Sequence, residues 1–384
     1  NRVGPLSPLN SALVVDSRSQ QLLQNQTLGR TRNLAAFGMF EMPLDPRSRA
    51  RLELRVARDF QRLQPRYANF LPATVAYPPA LNFTEVTPRF SIDHRLGDAW
   101  YGYASIARGA RSGGINTQPA LDAGEQGFDP EYNWTSEISL RYRGETVIQA
   151  WQATVYRIDW HNTQILGVAT TPGISTLVTR NTAGLTTHGV ETRLQLRMGS
   201  VWSSVIAFSW TDPRFNSGSD DPGSRVFCGL AVQPPASTFC AYGPPRTDSN
   251  GSLQRVPYLD GNQGARTPHI SWNLALRARP VTLADNWQLG GEAAFGWQGN
   301  VYERPINGAY YGARGLLSTR ISLGRGAWRA ELWGTNLTND RYVRAAASRG
   351  GPFYPSLPRP IDLLSSEGRR IGLSLEWQLQ AEPR

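Results

Sequence analysis

The chain has 384 residues, of which 40 are basic and 30 acidic, giving a formal net charge of +10. Mean hydropathy is −0.40 and no run of eighteen apolar residues occurs, so a membrane-spanning helix is excluded. All 40 basic residues are arginine, which excludes P-loop and Schiff-base chemistry, because both need a lysine amine.

Residues 1–31 mix polar and apolar side chains around Pro5 and Pro8. We interpret this segment as the end of an outer loop with room for one further strand. It has no regular alternation, in contrast to the sequence that follows.

From residue 32 to residue 379, segments of strict apolar–polar alternation recur. In the last of them, Ile371, Leu373 and Leu375 occupy every second position. Because successive side chains of a strand point to opposite faces, each segment is predicted to be a strand with one apolar and one polar face. The clearest examples are residues 188–198, 267–279, 286–299 and 370–379.

The predicted connections alternate in length. Tight turns are expected at Gly97-Asp98, Gly144-Glu145, Gly199-Ser200 and Gly324-Arg325-Gly326, and long loops at 61–84, 112–130, 213–266, 300–312 and 339–367. The strands of a soluble β-sandwich, in which each sheet has one solvent-exposed face, would show the same apolar–polar alternation. However, strands of about ten to fourteen residues exceed the five or six usual in soluble sheets. Short turns at one end and long loops at the other are typical of an outer-membrane barrel.

Counted in this way, the chain has roughly thirteen strands. An odd number of antiparallel strands leaves the first and last parallel, so these strands cannot close with regular pairing. We therefore expect the chain to supply part of a larger barrel. Aromatic residues near the strand ends, such as Trp100, Trp202 and Trp328, are expected to form girdles at the two membrane surfaces.

Five segments resemble, in content and in order, the TonB-dependent outer-membrane receptor family. The first contains an RG-x-x-SGG-x-N pattern, similar to the family's entry into an outer loop, and the last is similar to its terminal hairpin. The segments are TPRFSIDHRL with AWYGYASIARGARSGGIN (87–116), FDPEYNWTSEISLRYR (128–143), NTAGLTTHGVETRLQLR (181–197), GARTPHISWNLAL (264–276), and ELWGTNLTNDRYV with GRRIGLSLEW (331–377).

This resemblance implies an all-β fold, a transmembrane antiparallel β-barrel. The chain would be the C-terminal part of a 22-stranded barrel whose lumen holds an N-terminal plug. Residues 32–384 would be barrel strands with long extracellular loops. The resemblance also implies import driven by the TonB complex, through a plug and a TonB box that this sequence does not contain. The other implied partners are outer-membrane lipid, lipopolysaccharide and a small-molecule ligand.

Charged residues recur on the polar face of the predicted strands. Each would cost a few kcal/mol near the bilayer midplane if it faced lipid, so we expect them to line the lumen. Acid and arginine interleave, whereas a nucleic-acid surface clusters arginine with little acid, so nucleic acid is not an expected partner. The residues are Arg51, Glu53, Arg55, Arg89, Asp93, Glu137, Arg141, Glu191, Arg193, Arg277, Glu292, Arg320, Arg329, Glu331 and Glu376.

Ligand contacts are expected from the outer loops, where function usually lies on a rigid scaffold. Aromatic side chains stack on flat or sugar-like groups, and arginine pairs with carboxylates or chelate oxygens. Packing between loops and contact with lipopolysaccharide are the alternatives. The candidates are Phe215, Arg225, Phe227, Tyr242, Arg246, Tyr258, Tyr302, Arg304, Tyr310, Tyr311, Arg349, Phe353 and Tyr354.

Cys228 and Cys240 lie in a Gly/Pro/Ser/Asp-rich stretch and are predicted to form a disulfide, the alternative being two free thiols. The G-x-S-x-G, H-E-x-x-H and βαβ-linked G-x-G-x-x-G motifs are missing, and the four histidines have no metal-ligand spacing. We therefore expect no enzymatic activity, no bound metal and no cofactor.

The leading hypothesis from the sequence is uptake of a scarce solute, with a ferric siderophore as the first choice. Cobalamin and an oligosaccharide are alternative ligands. A passive porin-like diffusion channel and a soluble β-rich binding protein are alternative functions.

Overall fold

The computed structural model describes residues 26–67, 80–116, 127–171, 174–220, 246–247, 253–254, 258–308, 310–348 and 361–378. These residues form strands and connections, with one short 3-10 turn at Ala284–Asn286. The strands are β1 (Gln26–Asp45), β2 (Ser48–Tyr67), β3 (Leu81–Arg95), β4 (Trp100–Arg111), β5 (Gly114–Ile115), β6 (Gly127–Phe128), β7 (Glu131–Arg143), β8 (Ile148–Thr171), β9 (Ile174–Met198), β10 (Trp202–Phe215), β11 (Arg246–Thr247), β12 (Leu253–Gln254), β13 (Ile270–Thr282), β14 (Gln288–Gln298), β15 (Val301–Tyr302), β16 (Tyr310–Tyr311), β17 (Arg314–Arg325), β18 (Trp328–Thr335), β19 (Val343–Ser348), β20 (Ile361–Ser365) and β21 (Arg370–Trp377).

Thirteen of these strands form one sheet, in the order β1-β2-β3-β4-β7-β8-β9-β10-β13-β14-β17-β18-β21. Each of these thirteen strands pairs antiparallel with the next strand of the same sheet along the chain, which confirms the predicted count and pairing. Within the described residues the sheet is open, with β1 and β21 as its two edges. The remaining strands form four two-stranded hairpins inside the longer connections.

The two ends of the sheet differ as predicted. One end carries short turns, hereafter the turn end, and the other carries the long connections, hereafter the loop end. At one turn the prediction was slightly displaced, because Gly324 and Arg325 still belong to β17 and the turn is Gly326-Ala327. At the loop end β8 and β9 extend to 24 and 25 residues. The β-branched residues at their loop-side ends continue the pairing as far as Thr171 and Ile174. Neither a tight turn nor a long loop was predicted for the connection between these two strands.

One face of the sheet is apolar and exposed. Leu375, Leu373 and Ile138 are 68%, 74% and 70% exposed, and Leu274 and Trp377 are exposed on the same face. A β-sandwich would bury such residues between two sheets. Among the described residues, the largest fully buried side chain is Leu259, so this apolar face has no dry protein interior to pack against. Those residues also include no helix that is long and apolar enough to span a membrane.

The opposite face carries the charges. Arg277 is in register with Glu292, which is in register with Arg320, and the same side of the sheet continues through Arg141 and Glu137. Every residue of the predicted charged set falls on this face. The period of two in the sequence therefore separates charge from apolar surface over the whole sheet.

Candidate ligand-binding site

The charged face begins, at the turn end, with a four-residue ion network. The guanidinium of Arg51 lies 2.5 Å from Glu41 and 3.1 Å from Asp93, and that of Arg49 lies 3.6 Å and 3.3 Å from the same two carboxylates. The four side chains come from β1, β2 and β3, so the network ties three neighbouring strands together. All four are partly exposed, and each pair therefore contributes little alone.

Further along this face, charged side chains again pair with one another across neighbouring strands of the sheet. Glu331 forms ion pairs with Arg320 at 3.1 Å and with Arg329 at 3.7 Å, and Arg277 lies 3.1 Å from Glu292. Arg89 donates to the hydroxyl of Tyr103 at 2.5 Å. Such mutual pairing supports the interpretation of these residues as a structural lining.

Near the loop end, a buried carboxylate holds three strands together. Glu131, whose side chain is 5% exposed, forms an ion pair with Arg111 Nε at 2.9 Å and accepts a hydrogen bond from the backbone N–H of Gln164 at 2.6 Å. It thereby links β7 to β4 on one side and to the extended part of β8 on the other.

Glu131→Gln is expected to lower the free energy of unfolding by about 1–2 kcal/mol, because a charge-assisted hydrogen bond in a buried position is replaced by a weaker one. The matched control is Glu367→Gln, whose partner Arg370 and whose own side chain are more than half exposed, with an expected cost below about 0.5 kcal/mol. Urea unfolding of the reconstituted protein measures both. An equal loss of unfolding free energy in the two variants would show that the burial of Glu131 does not increase its contribution to stability.

Asparagine side chains connect the loops to one another and to the end of a strand. Asn116 donates to the carbonyl of Thr179 at 3.1 Å and accepts from its N–H at 3.0 Å. Asn307 makes the same paired contact with the backbone of Gln263, at 2.9 Å and 2.7 Å. Asn116 thus ties its loop to the extended part of β9, and Asn307 ties two loops to each other. Nothing in the sequence near either asparagine indicates these contacts, since the partners are more than forty residues apart.

A tyrosine cluster lies in the loop between β14 and β17 and is joined by Arg266 from the loop between β10 and β13. The rings of Tyr302 and Tyr310 meet edge to face, with centroids 6.3 Å apart, and Tyr310 is 62% exposed. The hydroxyl of Tyr311 donates to Glu303. Glu303 also pairs with Arg266 at 2.9 Å and raises the pKa of that guanidinium through this hydrogen bond. We call these five residues the tyrosine cluster.

The other predicted ligand residues have different surroundings. Phe215 is 7% exposed, and its backbone bonds to Asn262 and Gly261 at the base of a loop. Arg304 adjoins the tyrosine cluster, and Tyr258 forms an isolated bridge to Asp220. Arg246 is described only as part of the backbone of β11. Arg225, Phe227, Cys228, Cys240, Tyr242, Arg349, Phe353 and Tyr354 lie outside the described residues.

In the part of the chain that the structure describes, no three histidine, cysteine, aspartate or glutamate side chains are placed to hold a metal ion. Two of the histidines bond to protein groups: His94 Nδ1 lies 2.7 Å from the hydroxyl of Ser48, and His269 Nδ1 lies 3.1 Å from the carbonyl oxygen of Thr211.

Comparison with known proteins agrees with this architecture. A family model described as "TonB dependent receptor-like, beta-barrel" matches residues 3–337. The ferric yersiniabactin uptake receptor FyuA from Yersinia pestis superposes with a TM-score of 0.66 at 15% identity, covering 91% of this chain. The siderophore receptor PiuA from Acinetobacter baumannii gives 0.65 at 17% identity and the same coverage. The copper transporter OprC gives 0.60 at 12% identity.

At these identities the likeness concerns the fold. The matched regions are 46% of FyuA, 43% of PiuA and 50% of OprC, so the chain spans about half the length of these proteins or less. No curated protein sequence matches the chain.

Proposed function

Because the chain belongs to the TonB-dependent receptor-like β-barrel family, we propose that the protein is a bacterial outer-membrane receptor that binds a scarce small solute at its outer loops and imports it. The energy would come from the TonB complex, acting through a plug outside this chain. A ferric siderophore is the preferred ligand, since FyuA and PiuA are described as receptors for such compounds. The copper transporter OprC shares the fold, so the ligand class needs its own test.

The observation that carries this proposal is the two-faced sheet. Its exposed apolar face suits lipid, and its ion-paired face suits a polar lumen.

For the ligand site we propose the tyrosine cluster with the adjoining Arg304. Tyrosine rings offer flat surfaces for stacking at a small entropic cost, and arginine offers donors for carboxylate or chelate oxygens. The contact between Glu303 and Arg266 would hold the cluster in place before a ligand arrives, which lowers the cost of binding.

Uptake in the source bacterium tests the function. We expect a strain lacking the gene to lose uptake of radioactive iron supplied as a ferric siderophore under iron limitation. Reintroducing the full-length gene should restore uptake, and deleting TonB should abolish it again. Uptake that persists without TonB would indicate a passive channel. If the strain took up iron normally but grew poorly on cobalamin or on an oligosaccharide, that compound would replace the siderophore as the proposed ligand.

Tyr310→Ala is expected to weaken ligand binding by about tenfold, because an exposed ring and its partner Tyr302 lose their stacking surface. Tyr101→Ala is the control, since Tyr101 is also exposed but lies at the turn end of β4. Equilibrium binding of the transported solute to whole cells gives both Kd values. Equal Kd values for Tyr310→Ala and the wild type would remove the tyrosine cluster from the proposal.

A further inference from the structure

Glu191 and Arg193 lie two residues apart on the charged face of β9 and take no part in its internal pairing. Within the described residues neither side chain forms a hydrogen bond or an ion pair, and both are exposed. An acid and an arginine at the same spacing do pair on β8, where Arg157 lies 2.8 Å from Asp159. In the described part of the chain, the charges of Glu191 and Arg193 are therefore left for another partner.

The register of the sheet explains why these two side chains are unpaired. Each lies between two uncharged neighbours, one from β8 and one from β10, and an uncharged neighbour cannot neutralise it. On the pair β13 and β14, by contrast, Arg277 is in register with Glu292 and lies 3.1 Å from it. The uncharged neighbours are Gln152 and Ala207 for Arg193, and Thr154 and Ser209 for Glu191.

The two charged side chains line a small depression in the charged face. Its volume is about 290 Å³, and it lies on β8, β9, β10 and β13, away from both open edges of the sheet. The short side chain of Ala207 leaves space beside Arg193, and the hydroxyls of Thr154 and Ser209 lie beside Glu191. The depression is therefore polar and carries one charge of each sign.

This depression lies about halfway along the membrane-spanning part of the sheet. Arg193 and Glu191 are the sixth and eighth residues counted from Met198, where β9 ends at the turn end. A tilted barrel strand crosses a bilayer in about 9–11 residues. A solute that moves from the tyrosine cluster at the loop end toward the turn end would pass this level of the wall.

We propose that the depression is a second binding site for the transported solute and that it takes a zwitterionic, amino-acid-like group. The ammonium group would bind Glu191 and the carboxylate would bind Arg193. This inference rests on the import function proposed above. Two steps along a strand place the two Cα atoms about 6.7 Å apart, so flexible side chains can hold two opposite charges of one small headgroup between them.

The unpaired charges also select against other solutes. A neutral or singly charged group would leave at least one of the two side chains without a charged partner, and would gain fewer charge-assisted hydrogen bonds. Because both side chains are exposed, binding is weak enough for the solute to leave again, as passage through a pore requires. The site therefore fits a point of transit rather than the first capture of the solute.

The test uses the full-length protein, purified from its outer membrane in detergent, and three small probes. L-serine carries both charges, N-acetyl-L-serine carries only the carboxylate, and L-serinamide carries only the ammonium group. Ligand-observed NMR gives the Kd of each probe. We expect L-serine to bind at least about fivefold more tightly than either derivative, because only L-serine has a partner for both charged side chains.

Single substitutions assign each charge to its side chain. Arg193→Gln is expected to weaken L-serine binding about fivefold and to leave the Kd of L-serinamide unchanged, because the ammonium contact remains. Glu191→Gln is expected to weaken L-serine binding equally and to leave the Kd of N-acetyl-L-serine unchanged. If both variants instead weakened all three probes alike, a general disturbance of the wall would explain the loss and the proposal would be overturned.

Arg320→Gln is the matched control, because Arg320 is also exposed on the charged face but is paired with Glu331 at 3.1 Å. Its Kd for L-serine is expected to equal that of the wild type, and an equal loss in this variant would overturn the proposal. So would equal binding of the three probes by the wild type, or no binding at all, the result expected if another segment of the full-length protein fills the depression.

The binding experiment needs neither TonB nor uptake. Its failure would therefore remove the site at Glu191 and Arg193 alone and leave the import function to its own test. A negative uptake experiment, with the crossed binding pattern intact, would remove the import function and with it the role of this site in transport.

Discussion

Leu274→Arg is expected to destabilise the folded protein in a lipid bilayer by about 2–4 kcal/mol, the cost of an arginine near the midplane on the lipid side of a barrel. Leu274 lies near the middle of β13, in register with Ile206 and Phe295, and is 40% exposed in the structure. Urea unfolding in lipid vesicles, followed by gel mobility, measures this cost.

The control for this substitution is the adjacent residue. Asn273 lies on the same strand but on the charged face, where it is exposed and in register with Ala207 and Gly296. Asn273→Arg places an identical charge toward water and is expected to cost less than about 1 kcal/mol. Equal unfolding costs for the two variants would contradict the assignment of the apolar face to the membrane, because the two arginines differ in whether they face lipid or water.

Much of this fold could be predicted, because the apolar–polar alternation that indicates a barrel strand lies within the sequence of that strand alone. Ile371, Leu373 and Leu375 alternate with small or polar residues, and the structure exposes all three on one face. The same local rule gave the thirteen strands and the charged face. Family membership was also predicted, since the matching segments follow strand order.

What the sequence could not predict depends on contacts between distant residues. The extension of β8 and β9 beyond residue 163 rests on pairing between two strands, which is decided by both partners together. Asn116 and Asn307 bond to backbone far away in the chain, and nothing in their neighbours indicates this. The binding residues pose the same difficulty. Tyr302, Tyr310 and Tyr311 were chosen as aromatic loop residues, but their grouping around Glu303 required the hairpin of β15 and β16.

Gly184→Ala is the second substitution with a large expected effect, because glycine is required there for two separate reasons. Its φ of +157° lies in a region that residues with a Cβ rarely adopt, and an added Cβ would overlap the backbone carbonyl oxygen of Trp160 on β8. A backbone atom in a paired strand cannot move aside as a side chain can. We expect the free energy of unfolding to fall by about 3 kcal/mol or more.

The loss would reach the outer loop as well as the strand pair. The fully buried hydroxyl of Ser219 accepts from the N–H of Gly184 at 3.2 Å and donates to its carbonyl at 3.0 Å, and the N–H of Asn216 donates to the same carbonyl. Moving this peptide releases the segment after β10, so limited proteolysis should cut near residue 216 faster than in the wild type. Gly199→Ala separates the two causes, since Gly199 also has a positive φ, +69°, but has open space at its Cβ position. Its expected cost is about 1 kcal/mol with an unchanged cleavage rate near residue 216. If Gly199→Ala costs as much as Gly184→Ala, backbone conformation alone explains both and the obstruction by Trp160 has no effect.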